Sequence, residues 1–314
     1  MSEMLATRDA YGKTLVELGK ETKDIVVLDA DLSASTRTAW FAKEFPERFI
    51  NAGVAEQNLI GMAAGLALSG KTVFASSFAM FCTGRPWEMI RNSIAYPNLN
   101  VKIVSTHAGI TVGEDGASHQ ANEDIAIMRA IPNMTIVIPG DAHEAAAIIR
   151  FAAKTHGPWY IRLSRSATPV INDAGVKFDI NDTPVLRKGK DVTIVASGIM
   201  IKPALDAADA LAKDGIEAEV LNLHTIKPMP VDPIISSIKK TGLLVTAEEH
   251  NLSGGIGSAI AQQIVLQHPV PMEMVGLKDT FCESGKPAEL LEKYKLNSEA
   301  IIKAVNKGLP RKSA

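Results

Sequence analysis

Two histidines and an acidic pair share one glycine-rich stretch of this chain, Thr106 to Gln120, which reads THAGITVGEDGASHQ. It follows the apolar run Val101-Lys102-Ile103-Val104 and so leaves the carboxyl end of a strand. Open α/β sheets place ligands at that end, and glycines let the backbone approach them closely. The imidazoles of His107 and His119, with Glu114 and Asp115 between them, can move protons and bind hydroxyls near neutral pH. A second candidate is Glu56, at the start of a helix in GVAEQNLIGMAAGLALSG that is otherwise almost wholly small and apolar. Such a helix is expected to be buried. Its carboxyl is favoured by the amino-terminal dipole, or else sits in a poorly hydrated site that retains its proton. Phe78 and Phe81, three apart just after a strand, would project on one side of a helical turn, as core or as pocket wall.

Elements that could hold these groups alternate along the chain. Strands are expected at Ile25–Leu28, Phe49–Asn51, Thr72–Ser76, Val101–Thr106, Thr135–Ile138 and Trp159–Leu163, with helices over Arg8–Lys20, Glu56–Leu68, Pro86–Ala95 and Ala142–Ala153. Asp141 is an N-cap signal for the last. From Ser164 to Asp191 the periodicity fades into small, polar and Pro/Gly-containing sequence, the expected interdomain connection. A second alternation follows, with strands Val192–Ala196, Ala218–Leu223, Leu243–Ala247 and Met272–Val275. Its helices fall near Pro203–Lys213, Pro233–Lys239, Ile256–Leu266, Pro287–Tyr294 and Ser298–Asn306. The fold class is α/β, with two domains (1–170 and 191–314, linked by 171–190), each a mostly parallel sheet flanked by helices.

Composition narrows the partners. A formal net charge of -2 with 22% charged residues gives no electrostatic reason to expect nucleic acid or an anionic membrane. Cys82 and Cys282 stand far apart, with neither metal-ligand spacing nor a disulfide framework, as expected of reduced thiols in a cytoplasm. MSEMLATRDA does not read as a secretory signal, and no segment reaches the apolar length of a membrane span. Gly254-Gly255-Ile256-Gly257-Ser258 misses the G-x-G-x-x-G spacing of a dinucleotide turn.

In order, Ala55-Glu56-Gln57, Phe78 and Phe81, His107, Gly113-Glu114-Asp115-Gly116, His119-Gln120 and Leu163-Ser164-Arg165 resemble the thiamine-diphosphate enzymes of the transketolase family over nearly the whole chain. The resemblance implies a pyrimidine-binding domain followed by the family's carboxyl-terminal domain. It implies that Glu56 bonds N1′ of the aminopyrimidine and favours the imino tautomer, that Phe78 and Phe81 pack on that ring, and that Asp31 and Leu32 lie on the thiazolium side. It also implies a sugar-phosphate site of Arg8, Ser35, His107 and Arg165, where arginine's planar fork suits a phosphate dianion. Asp115 would accept from the sugar's α-hydroxyl, and His119 would stand near the C1 hydroxyl. The expected reaction moves a two-carbon ketol unit from a ketose phosphate to an aldose phosphate.

Two related branches compete. Enzymes making deoxyxylulose phosphate carry an arginine in the loop before the aspartate and another where Phe81 stands; β subunits of 2-oxoacid dehydrogenases lack the His–GEDG–His loop. Gly84 departs from the family, since many transketolases place a third aromatic there. No Gly-Asp-Gly, the family's signature for gripping the diphosphate through a metal, occurs in this chain. The resemblance therefore implies a split enzyme. This chain would be the carboxyl-terminal subunit, and a separate amino-terminal subunit would hold the diphosphate and its Mg2+ or Ca2+ in an α2β2 heterotetramer. A non-catalytic assembly subunit is the alternative of another class. His250 is expected at the domain interface rather than in catalysis.

Overall fold

The alternation resolves into two main sheets in the computed structural model, which describes residues 3–312. The strands are β1 (Met4–Ala6), β2 (Ile25–Asp29), β3 (Phe49–Asn51), β4 (Thr72–Phe78), β5 (Val101–Thr106), β6 (Thr135–Val137) and β7 (Trp159–Arg162). They continue as β8 (Ala167–Pro169), β9 (Val185–Arg187), β10 (Val192–Ala196), β11 (Ala218–Asn222), β12 (Thr225–Lys227), β13 (Leu244–Asn251) and β14 (Met272–Leu277). The larger sheet runs β12-β6-β7-β5-β4-β2-β3 and the smaller β14-β13-β10-β11-β9. Each is parallel except at one edge, where β12 and β9 add antiparallel. A short antiparallel pair joins β1 to β8.

Burial on both faces explains the unbroken apolar strands, since parallel sheets are covered by helices on each side. Helices Thr7–Glu21 and Ala142–Lys154 cover one face of the larger sheet with Tyr11, Leu15, Ile148 and Ile149. Asp141 caps the second of these by accepting from the Glu144 N–H at 2.8 Å, as its sequence position suggested. Lys102, in the middle of this core, is tolerated because its Nζ donates to Thr155 O and Gly157 O, both at 2.7 Å. Burial lowers that ammonium to about 7.

The structure corrects several expectations. Helix Glu56–Leu68 is not wholly buried: Glu56, Leu59, Ile60, Ala63 and Ala64 face the core, while Leu68, and Val54 just before the helix, are each 72% exposed. An apolar composition fixes that a helix wants cover but not which polypeptide supplies it. The expected helix Pro86–Ala95 instead begins earlier, as Ala79–Gly84, and resumes at Trp87–Met89 and Ile90–Ala95. The connection at 171–190 is not featureless, since β9 lies within it. From the second half, β12 crosses to pair with β6 of the larger sheet. Strand β13 runs on through Glu248, Glu249 and His250, all buried.

Candidate active site

Four neighbouring strands of the larger sheet, β2, β4, β5 and β7, deliver most of the candidate residues at their carboxyl ends, while Glu56 follows the edge strand β3 and Arg8 follows β1. Beyond β2 the chain folds into a tight turn around Asp29. Its buried carboxylate accepts from the Leu32 N–H at 2.6 Å and from the Thr36 and Thr38 hydroxyls at 2.7 and 2.9 Å. Burial raises that carboxyl to about 6, against the pull of those three donors. The turn holds Asp31 and Arg37 at positive φ, 64° and 72°, which residues with a Cβ adopt at a cost. It also presents the consecutive carbonyls of Ala34 and Ser35. Arg8 Nη1 docks on Ser35 O and Arg37 Nη1 on Ala34 O, each at 3.0 Å.

The loop after β5 turns sharply at His107, whose φ is 61°, and is closed by the Gly109 N–H donating to Ala121 O at 3.0 Å. Gly109, Gly113 and Gly116 all have positive φ, and at Gly109 and Gly116 neighbouring side chains exclude larger residues. A Cβ on Gly109 would sit 2.1 Å from the Glu249 carboxyl carbon, and one on Gly116 would sit 2.3 Å from Ser284 Oγ. These contacts come from the second half of the chain. Glu249 Oε1 accepts from the Thr111 N–H at 2.7 Å, and the Glu283 carbonyl accepts from Gln120 Nε2 at 3.0 Å.

Six of the sequence candidates, Arg8, Ser35, Phe78, His107, Asp115 and Arg165, line one open cleft of about 390 Å³, together with Ala34 and Arg37. Burial, then the neighbouring Arg8, Arg165 and Arg37, push the His107 imidazole down to about 3, so it is a neutral group at pH 7. Arginine only donates, so His107 Nε2 accepts from Arg8 Nη1 at 3.4 Å and Nδ1 faces Thr106 Oγ1 at 2.7 Å. Arg8 Nε is buried without a partner, a donor left over for an anion. Arg165 donates to Val112 O and pairs with Glu114 at 3.2 Å, with Asp115 at 3.9 Å.

A second group adjoins this cleft. Phe78 stacks on His107, centroids 3.8 Å apart, and lies near-parallel to Phe81 at 6.5 Å; His119 stands edge-on to Phe81 at 5.0 Å. Glu56 is buried and is linked to them through Arg85, whose Nη1 donates to Glu56 Oε2 at 2.8 Å and whose guanidinium carbon lies 4.7 Å from the Phe81 centroid. Asp31 and Leu32 do not line the cleft: Asp31 is exposed and accepts from Asn51 Nδ2 at 2.9 Å, and Leu32 is held by Asp29.

Sequence reasoning missed Asp29, Arg37, Arg85 and Glu249. Only the two Asp residues of LDADL hinted at the first, and the others carry no local signal. His250 does lie between the halves, its Nε2 3.8 Å from Asp124 Oδ1. Around it Asp124 accepts from the Tyr160 hydroxyl at 2.5 Å and from Arg162 Nε at 2.7 Å, a buried network. The glycine-rich turn at 254–257 has its helix start taken by the chain's own Glu248, which accepts from the Ile256 and Gly257 N–H groups at 2.6 and 3.0 Å.

Fold and site thus define an α/β protein with a cationic, partly aromatic cleft at the carboxyl edge of a parallel sheet. The chain matches the family models for the transketolase pyrimidine-binding domain over residues 3–170 and the transketolase C-terminal domain over residues 181–301, and it belongs to the transketolase family. Within that family it corresponds to the carboxyl-terminal section. A Methanocaldococcus jannaschii protein provisionally named a transketolase C-terminal section is 53% identical over 95% of this chain and 94% of its own length. A solved structure described as a split gene transketolase, inactive β4 tetramer, is 52% identical, with a TM-score of 0.92 over 98% of this chain and all of that one. Mouse transketolase is 38% identical over 99% of this chain, which spans 50% of its length. These matches favour transketolase over the 2-oxoacid dehydrogenase and deoxyxylulose-phosphate readings. Among the described residues no helix is long and apolar enough to cross a membrane.

Proposed function

We propose that this chain is the pyrimidine-side subunit of a two-chain transketolase acting in the cytoplasm, and that it moves a two-carbon ketol unit from a ketose phosphate to an aldose phosphate. The observation that carries the reading is a chain of contacts: the buried Glu56 carboxyl is held by Arg85, Arg85 lies over the Phe81 ring, Phe81 neighbours His119 and Phe78, and Phe78 lines a cleft with three arginines. Domains 1–170 and 191–314, joined by 171–190, belong to the same reading.

Thiamine diphosphate, when bound, supplies the carbon nucleophile and electron sink for breaking and making the C–C bond. The residues present fit its aminopyrimidine: Glu56 is a buried acid held by a half-exposed arginine that also lies over the Phe81 ring, and a Cβ placed on Gly84 would meet nothing within 4 Å. Glu56 would hold a proton at the pyrimidine N1′, while Phe78 and Phe81 would fix the ring plane. Arg8, Ser35 and Arg165 would bind the sugar phosphate, with the orphaned Arg8 Nε as an added donor. His107, kept neutral, would act there as a hydrogen-bonding group rather than a cation. Asp115 would accept from the α-hydroxyl and His119 would stand at the C1 hydroxyl. Asp31 and Leu32 are assigned to the thiazolium side through the turn that follows β2.

The diphosphate and its Mg2+ or Ca2+ are assigned to a separate amino-terminal subunit in an α2β2 assembly. Two facts support a partner: the solved structure that the chain matches over all of that structure's length is described as a split gene transketolase, and Leu68 of the apolar helix Glu56–Leu68, with Val54 just before it, is uncovered. By likeness to the β4 tetramer, the chain alone is expected to self-associate without activity. Mixing it with the partner chain, cofactor and magnesium should produce ketol transfer. Glu56→Gln should keep the fold and largely abolish exchange of the cofactor's C2 proton. Wild-type exchange in that mutant complex would overturn the role of Glu56, and an inert wild-type complex would favour a non-catalytic subunit.

A further inference from the structure

Arg85 takes hold of Glu56 from one residue beyond Gly84. Its Nη1 lies 2.8 Å from Glu56 Oε2, and its guanidinium carbon lies 4.7 Å from the centroid of the Phe81 ring. The two partners differ in burial: the Glu56 side chain is 3% exposed and that of Arg85 53%. The acid is fixed at the start of a helix packed on the core, while the cation reaches it from the solvent side on a long stem. Nothing meets a Cβ placed on Gly84, so no side chain packs on the backbone immediately before Arg85.

A guanidinium and an aminopyrimidine are both flat, nitrogen-bearing groups that can donate N–H bonds and lie against an aromatic face. On the reading that Glu56 receives the aminopyrimidine, on which this inference rests, both groups claim the same buried carboxylate, whose Oε2 Arg85 already holds, and the same Phe81 ring. They compete for that one place. We propose that Arg85 is a displaceable counter-ion: it compensates Glu56 until the aminopyrimidine takes its place, and so weakens cofactor binding by the strength of the contact given up.

The physical need for such a group is clear from Glu56 itself. A carboxylate buried among apolar and aromatic side chains is costly unless paired. A chain that folds before meeting its partner and cofactor requires something else to hold that charge. Binding then exchanges one partner of Glu56 for another, so cofactor affinity reports the difference between them rather than the full worth of the new bond. Arg85 is thus a positioning residue, acting through Glu56 and touching neither substrate nor reacting atoms.

The experiment titrates thiamine diphosphate with Mg2+ into the complex of this chain with its diphosphate-binding partner, by calorimetry, for wild type, Arg85→Ala and Arg85→Gln. The melting temperature of each chain alone is measured in parallel. Arg85→Ala is expected to bind cofactor about tenfold to a hundredfold more tightly, the range for one charge-assisted hydrogen bond. Its isolated chain should melt below wild type, because Glu56 loses its partner. Arg85→Gln, which keeps a planar donor without the charge, should fall between them in both measurements. Cofactor affinity unchanged or weakened in both variants overturns the proposal, whatever the melting temperatures show. A wild-type complex that binds no cofactor would instead remove the assignment of Glu56 on which it stands.

Discussion

Truncating Glu249 tests whether the second half of the chain sets the geometry of the loop that carries His107 and Asp115. The carboxylate accepts from the buried Thr111 N–H at 2.7 Å and fills the space against Gly109. Glu249→Ala leaves that N–H without an acceptor, at about 1–3 kcal/mol. It also opens a small cavity, adding about 1 kcal/mol. A loss of about 2–4 kcal/mol in holding the loop corresponds to a roughly thirtyfold to thousandfold fall in kcat/KM of the reconstituted enzyme. Glu249→Gln keeps the volume and a carbonyl acceptor, so it should stay within about threefold of wild type.

The same pair of variants gives a pH signature. Burial raises the Glu249 carboxyl to about 7, while Arg162 and the Thr111 bond pull it down; Asp124 and His250 are the other ionisable neighbours. An unfolded glutamate titrates near ~4.3. The native chain therefore keeps a proton that the unfolded chain releases. The stability from this group is full below the unfolded value and is lost as pH rises through 7. Glutamine has no such loss. The melting temperature of Glu249→Gln should match wild type near about pH 4 and exceed it increasingly toward about pH 8. Glu144 and Glu248, also near 7, add their own slope equally to both proteins. If the alanine variant matched the glutamine variant in both kcat/KM and pH profile, Glu249 would have no part in positioning the loop.

Two further outcomes are expected. Asp115→Ala should lower kcat/KM about tenfold to a hundredfold for acceptors bearing the α-hydroxyl; an equal loss for acceptors lacking it would remove the assignment. Asp124→Ala strips the buried Arg162 of its counter-charge and should cost about 3–5 kcal/mol in denaturant unfolding, with a loss under about 1 kcal/mol showing that Arg162 is satisfied by the carbonyls of Ala121 and Glu249 alone.

Much of the site was legible because its chemistry is local in sequence. His107, Asp115 and His119 share one loop, Phe78 and Phe81 one strand-to-helix junction, and Glu56 a helix start. Those spacings hold in the structure, where five of the six groups meet through direct ring or cleft contacts and Glu56 adjoins them through Arg85. What escaped was the compensation of charge across distance. Arg37 points to the cleft only because Asp9 takes its Nε at 2.6 Å and Ala34 its Nη1. Glu249 reaches Thr111 across 138 positions of sequence. Neither pairing leaves a periodic or motif-like trace.

The amino-acid sequence by itself determined the strands buried on both faces, the helix cap at Asp141 and the loops that carry the candidate groups, because each depends on neighbours within a turn or two. Tertiary structure alone decided that β12 joins the larger sheet, that Glu56–Leu68 keeps one face uncovered, and that the second half of the chain clamps the GEDG loop through Glu249 and Ser284. Those outcomes rest on which distant surfaces meet, and burial and charge pairing between such surfaces are properties of the packed chain, not of any segment.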